Sequence, residues 1–324
     1  MISALVAALA GFLAQLMHVA LVVALAPLLV GFVRLVKARL MGRRGPPITQ
    51  PWRDIRKLLR KRPVVAAGAT AITTTAPHLA CAASLLAAAL VPGFAHGMSL
   101  APLADLLLLA GLLATARVAL ALAGMDAGTA FGGMGAARAL SFAAFAEPVL
   151  LLCILVLAMI AGTTNLDVML VSLRDGGVGL RVSLALAAVA LVAVALVENG
   201  RMPADNPATH LELTMVHEAM LLEASGRHLA LWEMAAALQL LVWLALLSAL
   251  FLPWGVAPAD GGPVAWLWGL ATWLAKLGAL AFALAVFESA VAKLRVFRVP
   301  EFLGAALLLA ALAVALLFVS TGLA

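Results

Sequence analysis

The chain has 324 residues, of which 65% are hydrophobic and only 11% are charged, and its mean hydropathy is +1.14. This composition excludes an ordinary soluble domain and indicates a polytopic membrane protein. The formal net charge is +6, but the basic residues cluster beside apolar stretches, which favours a membrane surface over nucleic acid as their partner. The two cysteines, Cys81 and Cys153, both lie in apolar stretches and are too few to hold an iron–sulfur cluster or a structural zinc ion.

Eight apolar stretches are long enough to cross a bilayer core of about 30 Å as helices that rise about 1.5 Å per residue. The first runs for about 30 residues, which is too long for the apolar part of a signal peptide. We therefore predict an all-α, polytopic fold with about eight transmembrane helices in one membrane domain, residues 1–324. The predicted spans are residues 2–33, 64–91, 100–124, 141–161, 178–198, 229–252, 263–290 and 301–320.

The distribution of Lys and Arg predicts the orientation in the membrane. The loop between the first two predicted spans, residues 34–63, contains eleven of these residues. The positive-inside rule therefore predicts that this basic loop is cytoplasmic. The same rule places the acidic loop at residues 199–228 in the cytoplasm and both chain termini outside.

Within the basic loop, the sequence PWRDIRKLLRKR at residues 51–62 predicts a short amphipathic helix. Trp52, Ile55 and two leucines form its apolar face, which is typical of a helix that lies on the cytoplasmic surface of the bilayer. The other face is nearly all basic and also predicts docking of a soluble partner. The predicted docking residues are Arg53, Arg56, Lys57, Arg60 and Lys61.

The acidic loop gathers five of the fifteen carboxylates of the chain into residues 198–227. Asn206-Pro207 predicts the start of a helix and Gly226 its end, about five turns later. The five carboxylates, two of which (Glu212 and Glu223) would share one face of that helix, are Glu198, Asp205, Glu212, Glu218 and Glu223. Such a concentration in a hydrophobic chain favours a functional loop over an ordinary solvated one.

Motifs for bond-making chemistry are missing from the sequence. His217-Glu218 lacks the second histidine that a zinc-protease helix places one turn later, where Leu221 stands, so we predict no metal there. The glycine-rich segment FGGMGAAR, residues 131–138, is too weak a signal for a nucleotide site. Because no P-loop or GxSxG motif occurs either, we predict no redox or hydrolytic chemistry in this chain.

Several ionisable residues fall within the predicted spans. A charge in hydrocarbon costs about 2.5–3.5 kcal/mol or more unless it faces protein or water. We interpret Glu147, Glu288 and Lys276 as parts of a polar track inside the helix bundle. The alternative, structural ion pairing or snorkelling to the interface, fits Arg117 and Glu233 better.

Three segments resemble a known family. They are GRRGPPITQPWRDIRKLLRK in the basic loop, FGGMGAARALSFAAFAEP around Glu147, and ENGRMPADNPATHLELTMVHEAMLLEASGR in the acidic loop. The last segment has Glu198, Arg201, Pro203 and Asp205 in the pattern E-x-x-R-x-P-x-D. Over nearly its whole length the chain resembles the membrane subunit family of respiratory complex I that contacts the peripheral arm. It is more similar to the branch found in formate hydrogenlyase and hydrogenase-4 type complexes.

The resemblance implies a membrane-anchoring and proton-coupling subunit of an energy-converting nickel–iron hydrogenase complex in the bacterial inner membrane. The implied partners are the hydrogenase large and small subunits, antiporter-like membrane subunits and the lipid bilayer. The nickel–iron centre and iron–sulfur clusters are expected in those partner subunits, and no cofactor is expected in this chain. The residues expected to relay protons or couple the subunits are Glu147, Glu198, Arg201, Asp205, Glu212, His217, Glu218, Glu223, Glu288, Arg295 and Arg298.

The sequence also makes specific pairing predictions and leaves other functions open. Arg201 is expected to pair with Glu198, three residues earlier, and the arginines at 295 and 298 with Glu288. The alternative functions are a quinone-site subunit of an NADH-quinone oxidoreductase, a secondary ion transporter and a passive membrane anchor. The acidic loop departs from the quinone-reducing branch, no inverted repeat is visible, and carboxylates lie within the spans, so each alternative is disfavoured.

Overall fold

The structure is a computed structural model that describes residues 2–175, 182–205, 216–292, 294 and 298–322. Within these residues the helices are α1 (Ile2–Leu40), α2 (Gln50–Leu59), α3 (Ala71–Leu90), α4 (Leu106–Asp126), α5 (Ala130–Ala161), α6 (Leu166–Asp175), α7 (Val182–Glu198), α8 (His217–Leu221), α9 (Gly226–Phe251), α10 (Gly262–Ala290) and α11 (Val299–Gly322). Seven of them are long and apolar enough to cross a membrane, and α7 is an eighth apolar helix of 17 residues. The prediction of an all-α polytopic protein is therefore confirmed.

Two spans are longer than predicted. Helix α1 continues to Leu40 instead of ending near residue 33, because residues 34–41 contain no Gly or Pro and the chain turns only at Gly42, where φ is 71°. Helix α5 begins at Ala130 rather than near residue 141, because Thr129 caps it and accepts the N–H of Gly132 at 3.3 Å. The extra turns extend α1 into the basic loop that follows it, and they extend α5 into the loop that precedes it.

Helix α9 forms the core of the bundle. In its most apolar stretch 78% of the residues are buried, against 28–39% in the other six long helices. Trp243 and Leu241, near its middle, are almost completely enclosed. Of the other spans, α1, α3 and α10 pack most extensively on α9. The less buried spans keep an outer apolar side that suits lipid or a neighbouring membrane subunit.

The direction of the chain defines two ends of the bundle. The basic loop and the acidic loop lie at one end, here called the basic end. At the opposite end, β1 (Ala95–His96) pairs in parallel with β2 (Ala257–Pro258). There the N–H of Leu106 also donates to the carbonyl of Thr164 at 3.0 Å, so the connections that follow α3, α5 and α9 are bonded to one another.

The amphipathic helix of the basic loop forms as α2, but its apolar face contacts protein. Pro51 and Ile55 are buried, and Trp52 donates its indole N–H to the carbonyl of Ala24 at 2.9 Å. Part of the predicted apolar face therefore packs on protein, because the helices α1 and α9 supply an apolar surface for it. All five predicted docking residues of α2 and the turn after it are exposed.

The long helix predicted in the acidic loop is also corrected. Residues 206–215, which include Glu212, lie outside the described residues. Beyond them, α8 ends at Leu221, the chain turns, and Gly226 opens α9 instead of ending a helix. The turn is held by Ser225, whose hydroxyl accepts the N–H of Val64 at 2.8 Å and donates to the carbonyl of Val64 at 2.9 Å. The acidic loop is thereby bonded to the residue that directly follows the basic loop.

Candidate functional site

The end of α7 separates two functional side chains of the E-x-x-R pattern. The N–H of Gly200 donates to the carbonyl of Val197 at 3.0 Å, and the N–H of Arg201 donates to that of Leu196 at 2.8 Å. With a φ of 56° at Gly200, this is a Schellman turn, which ends the helix directly after Glu198. Glu198 is therefore the last residue of α7, whereas Arg201 lies beyond the turn, where the chain runs in a different direction.

Glu198 belongs to a group of three side chains, the Arg117 cluster, formed by Arg117, Glu147 and Glu198. The guanidinium of Arg117, on α4, donates from Nη1 to Glu198 and from Nη2 to Glu147 of α5. The side chains of Arg117 and Glu198 are only 14% and 11% exposed, whereas that of Glu147 is 51% exposed. One cation thus holds two carboxylates that come from different helices.

A second group, the Glu288 cluster, contains Glu288, Lys37 and Arg201. The carboxylate of Glu288 on α10 lies 3.2 Å from Nζ of Lys37 on α1 and 3.4 Å from Nη1 of Arg201, and its side chain is 2% exposed. Burial lowers the pKa of Arg201, and the carboxylate of Glu288 opposes that shift. The predicted partner Arg298 is exposed instead, and Arg295 lies outside the described residues.

The expected pair of Arg201 with Glu198 is therefore wrong. It assumed that α7 continues, but the Schellman turn directs Arg201 to Glu288. Arg117 takes the place beside Glu198, and sequence analysis missed this residue because it treated a lone arginine in an apolar span as structural. The position of Arg117 within an apolar span indicates a partner, because a charge at that depth needs an opposite charge or polar group within the bundle.

The two clusters carry opposite excess charge when all their groups are ionised. The Arg117 cluster has one cation for two carboxylates, and the Glu288 cluster has two cations for one carboxylate. Glu198 and Arg201, one from each cluster, are joined by a single tight turn. Movement of this turn would change the electrostatic surroundings of both clusters together.

The Arg117 cluster faces a cavity of about 220 Å³ between α4, α5 and α9. Its walls are mainly apolar and include Leu107, Gly111 and Trp243, and the three cluster side chains supply its charged part. Glu147 and the exposed Leu107 lie at its open side, on the flank of the bundle. The cluster is therefore accessible from the side of the bundle.

Helix α8 lies in a groove lined by glycines of α4 and α5. A Cβ atom at Gly135 would lie 2.9 Å from the carbonyl oxygen of Val216 and 3.0 Å from Cβ of Ala219. One at Gly124 would lie 2.9 Å from Cγ of Met220. The glycine-rich segment at residues 131–138 therefore seats α8, a packing role rather than nucleotide binding.

His217, the first residue of α8, contacts the Schellman turn. A Cβ at Gly200 would lie 2.5 Å from Nδ1 of His217, and this nitrogen is buried without a hydrogen-bond partner. Burial lowers the pKa of His217, while the charge of Asp205 raises it and that of Arg117 lowers it. A neutral imidazole thus lies near both Asp205 and the Arg117 cluster.

The other predicted carboxylates of the acidic loop differ in their surroundings. Asp205 is buried, and its Oδ2 accepts the N–H of Val216 at 3.3 Å, which fixes the start of α8. Glu218 is partly exposed and Glu223 is exposed. Glu212 cannot be assigned a position, because it lies outside the described residues.

Lys276 is not part of a continuous polar track, which corrects that interpretation. Its ammonium group donates to the carbonyl of Leu252 at 2.7 Å and to that of Trp254, and it lies 4.7 Å from the centre of the Trp254 ring. These carbonyls follow the last turn of α9, where helical carbonyls lack partners. Lys276 therefore caps α9 at the opposite end from the two clusters.

The described residues contain no group of three or more His, Cys, Asp or Glu side chains placed to hold a metal ion. The Arg117 cluster has a charge imbalance that protonation could remove. Two carboxylates that share one guanidinium leave one negative charge unbalanced, and a single proton would remove it.

The NADH dehydrogenase family model matches residues 13–319. The chain belongs to the NADH dehydrogenase subunit 1 family. The resemblance to the complex I membrane subunit family is therefore confirmed, and it extends over both clusters and both loops.

Curated relatives of this subunit 1 family chain come from hydrogenase and quinone-linked complexes. Hydrogenase-4 component C of Escherichia coli (strain K12) is 36% identical over 233 residues, 72% of this chain and 73% of the relative. Formate hydrogenlyase subunit 4 of the same organism is 32% identical over 279 residues, 86% and 89% of the two chains. A subunit of the NADH-quinone oxidoreductase of Chelativorans sp. (strain BNC1) is 29% identical over 310 residues, 88% and 87% of the two chains.

The fold also matches a solved structure. A chain of the membrane-bound sulfane sulfur reductase, an archaeal respiratory membrane complex, superimposes with a TM-score of 0.78 at 24% identity. The match covers 94% of this chain and 98% of the other. The two chains thus share the same helical arrangement.

Proposed function

We propose that the chain is the membrane-anchoring and proton-coupling subunit of an energy-converting nickel–iron hydrogenase complex. The names of two relatives, hydrogenase-4 component C and formate hydrogenlyase subunit 4, support the kind of complex. The observation that carries the coupling role is the Arg117 cluster, in which one buried guanidinium holds two carboxylates beside a cavity. The chain supplies proton exchange and anchoring, and the partner subunits supply the redox centres.

The proposed coupling uses the unbalanced carboxylate of the Arg117 cluster. A proton taken up by Glu147 or Glu198 neutralises the cluster, and its release restores the negative charge. The Schellman turn at Gly200 joins Glu198 to Arg201, so a shift of the acidic loop would change how strongly each cluster binds a proton. Such a shift would follow from a redox event in a peripheral arm that rests on this loop.

The anchoring role is supported by the exposed basic side of α2. The apolar side of this helix is packed against α1 and α9, so its cationic side is presented on a rigid support. Opposite charge on a soluble subunit would guide and orient docking there. The hydrogenase large and small subunits are the proposed occupants, and antiporter-like subunits are the proposed neighbours in the membrane.

A quinone-site subunit is the second candidate function. It is favoured by the similarity to the NADH-quinone oxidoreductase relative over 88% of this chain. A quinone-dependent redox reaction of the purified complex that is lost with substitutions in this chain would select this alternative over the hydrogenase role.

The test uses the whole complex in sealed vesicles and measures protons moved per redox turnover. Glu147→Gln and Glu198→Gln keep the size of each side chain but remove its titration, and we expect turnover to continue while proton movement is lost. Glu301→Gln, at an exposed carboxylate on α11, is the matched control and should behave as the parent protein. Unchanged proton movement in both cluster variants and in their combination would refute the relay, and failure to assemble would favour a passive anchor.

A further inference from the structure

The cavity beside the Arg117 cluster opens on the flank of the bundle, at a depth that lipid chains occupy. It has a volume of about 220 Å³ and lies between α4, α5 and α9. Arg117 lies nine residues before the end of α4 at Asp126, which is about 14 Å along the axis and near the middle of this 21-residue span. A ligand therefore reaches the cavity from the hydrocarbon of the membrane, and the cavity suits a ligand that dissolves there.

The walls of the cavity select the apolar part of a ligand. Leucines and alanines of α4 and α5, together with Trp243 of α9, line most of it. Gly111 of α4 belongs to the same wall, and a Cβ atom built on it would meet nothing within 4 Å, so this glycine leaves part of the space open. A cavity of about 150 Å³ holds a benzene molecule, so the larger one here has room for an unbranched chain of about six to eight carbon atoms.

The charged part of the cavity selects the head group. Arg117 donates to both Glu147 and Glu198, so the ionised cluster keeps one excess negative charge. A carboxylate or phosphate head group would lie against like charge, whereas a cation would be attracted. Glu147 is the group that such a cation reaches, because its side chain is half exposed at the open side of the cavity. An ammonium group fits best, since it also donates hydrogen bonds to a carboxylate.

We propose that the cavity binds a single-chain primary amine, with its ammonium group against Glu147 and its chain along Gly111 and Trp243. The carboxylate of Glu147 accepts hydrogen bonds from the ammonium group, and the apolar walls enclose the chain. No covalent bond forms. The binding depends on the volume and the charge of the cavity, so it stands whether or not the Arg117 cluster relays protons.

The test measures binding of ω-bromohexylamine to the purified full chain in nanodiscs of phosphatidylcholine, a lipid with no net charge. Bromine quenches tryptophan fluorescence only at close range, and Trp243 lines the cavity. We expect saturable quenching that is lost in Trp243→Phe, whereas probe dissolved in the bilayer quenches without saturating. ω-Bromohexanol, with a neutral head, should bind about three- to tenfold more weakly, and ω-bromohexanoate more weakly still. Absence of saturable quenching, or equal affinity for the three probes, would overturn the proposal.

Variants of the wall and of the head-group site locate the bound amine. Gly111→Leu fills the open space and should abolish the saturable quenching. Gly278→Leu is the matched control, because a Cβ at this mid-helix glycine of α10 also meets nothing within 4 Å, and it should bind the amine as the parent does. Glu147→Gln keeps the size of the side chain but removes its charge, so the affinity for the amine should fall to that for the alcohol. Retained binding in Gly111→Leu, or unchanged amine affinity in Glu147→Gln, would refute the assignment.

Discussion

Removal of the Arg117 guanidinium should leave a buried carboxylate without its cation. Arg117→Met keeps an apolar chain of similar length but deletes both donors to Glu147 and Glu198. Loss of one partner of a buried pair costs about 3–5 kcal/mol. The Glu147 contact adds little, because that carboxylate is 51% exposed and exposed pairs contribute about 0–1 kcal/mol. We therefore expect the free energy of unfolding to fall by about 3 kcal/mol, mainly through Glu198.

The fall in unfolding free energy caused by Arg117→Met should depend on pH and on the presence of Glu198. Protonation of the unpaired Glu198 removes its charge, so the difference between the variant and the parent should shrink as the pH falls. Combining Arg117→Met with Glu198→Met removes both charges, and the double variant should be more stable than the sum of the single effects by about 0.5–3 kcal/mol.

The assay is equilibrium unfolding of the purified chain in mixed micelles with increasing SDS, followed by helical circular dichroism. Arg60→Met, at an exposed arginine after α2, is the matched control and should change stability by less than about 0.5 kcal/mol. A loss below about 1 kcal/mol for Arg117→Met, with no pH dependence and no coupling to Glu198, would refute the reasoning. The cluster would then behave as a surface pair.

Three further outcomes test other parts of the structure. Gly200→Ala should destabilise the chain by about 1–3 kcal/mol more than Gly162→Ala in the same unfolding assay, because both glycines have positive φ but only the first would place its Cβ against the His217 ring. Lys276→Met should lower the free energy of unfolding by about 1–3 kcal/mol by removing the charged donor to the carbonyls of Leu252 and Trp254, while protons moved per turnover stay unchanged. A loss of coupling would return Lys276 to the relay. Neutralising the basic side of α2 should make the soluble arm detach from vesicles at a lower salt concentration than in the parent complex. The substitutions, made together, are Arg56→Gln, Lys57→Gln, Arg60→Gln and Lys61→Gln. Retention of the arm at every salt concentration would exclude the docking role.

Hydropathy and charge predicted the fold well, because a span needs only length and apolar character. The presence of Glu147, Glu198 and Glu288 in or beside spans could also be recognised, since charges at such depth are rare. Their partners could not be recognised. Helical spacing predicted that Arg201 would pair with Glu198, but one glycine with a positive φ turns it towards α10.

Lys276 is a second residue whose partners could not be predicted from the sequence. In the sequence it resembles any buried charge of a polar track, but its partners are carbonyls released by the end of α9, some twenty residues earlier in the chain. Backbone acceptors have no signature in the sequence. The glycines beneath α8 were likewise visible as a pattern, but their role depends on which segment folds over them.

Infrared difference spectroscopy of the working complex tests most directly whether a carboxyl group of the Arg117 cluster takes up and releases a proton during turnover. We expect a carbonyl stretch of a protonated carboxylic acid that appears and disappears with the redox state. That band should be lost in Glu147→Gln or Glu198→Gln and retained in Glu301→Gln. A carboxylic acid band that is unchanged in both cluster variants, or the absence of any such band during turnover, would contradict the account.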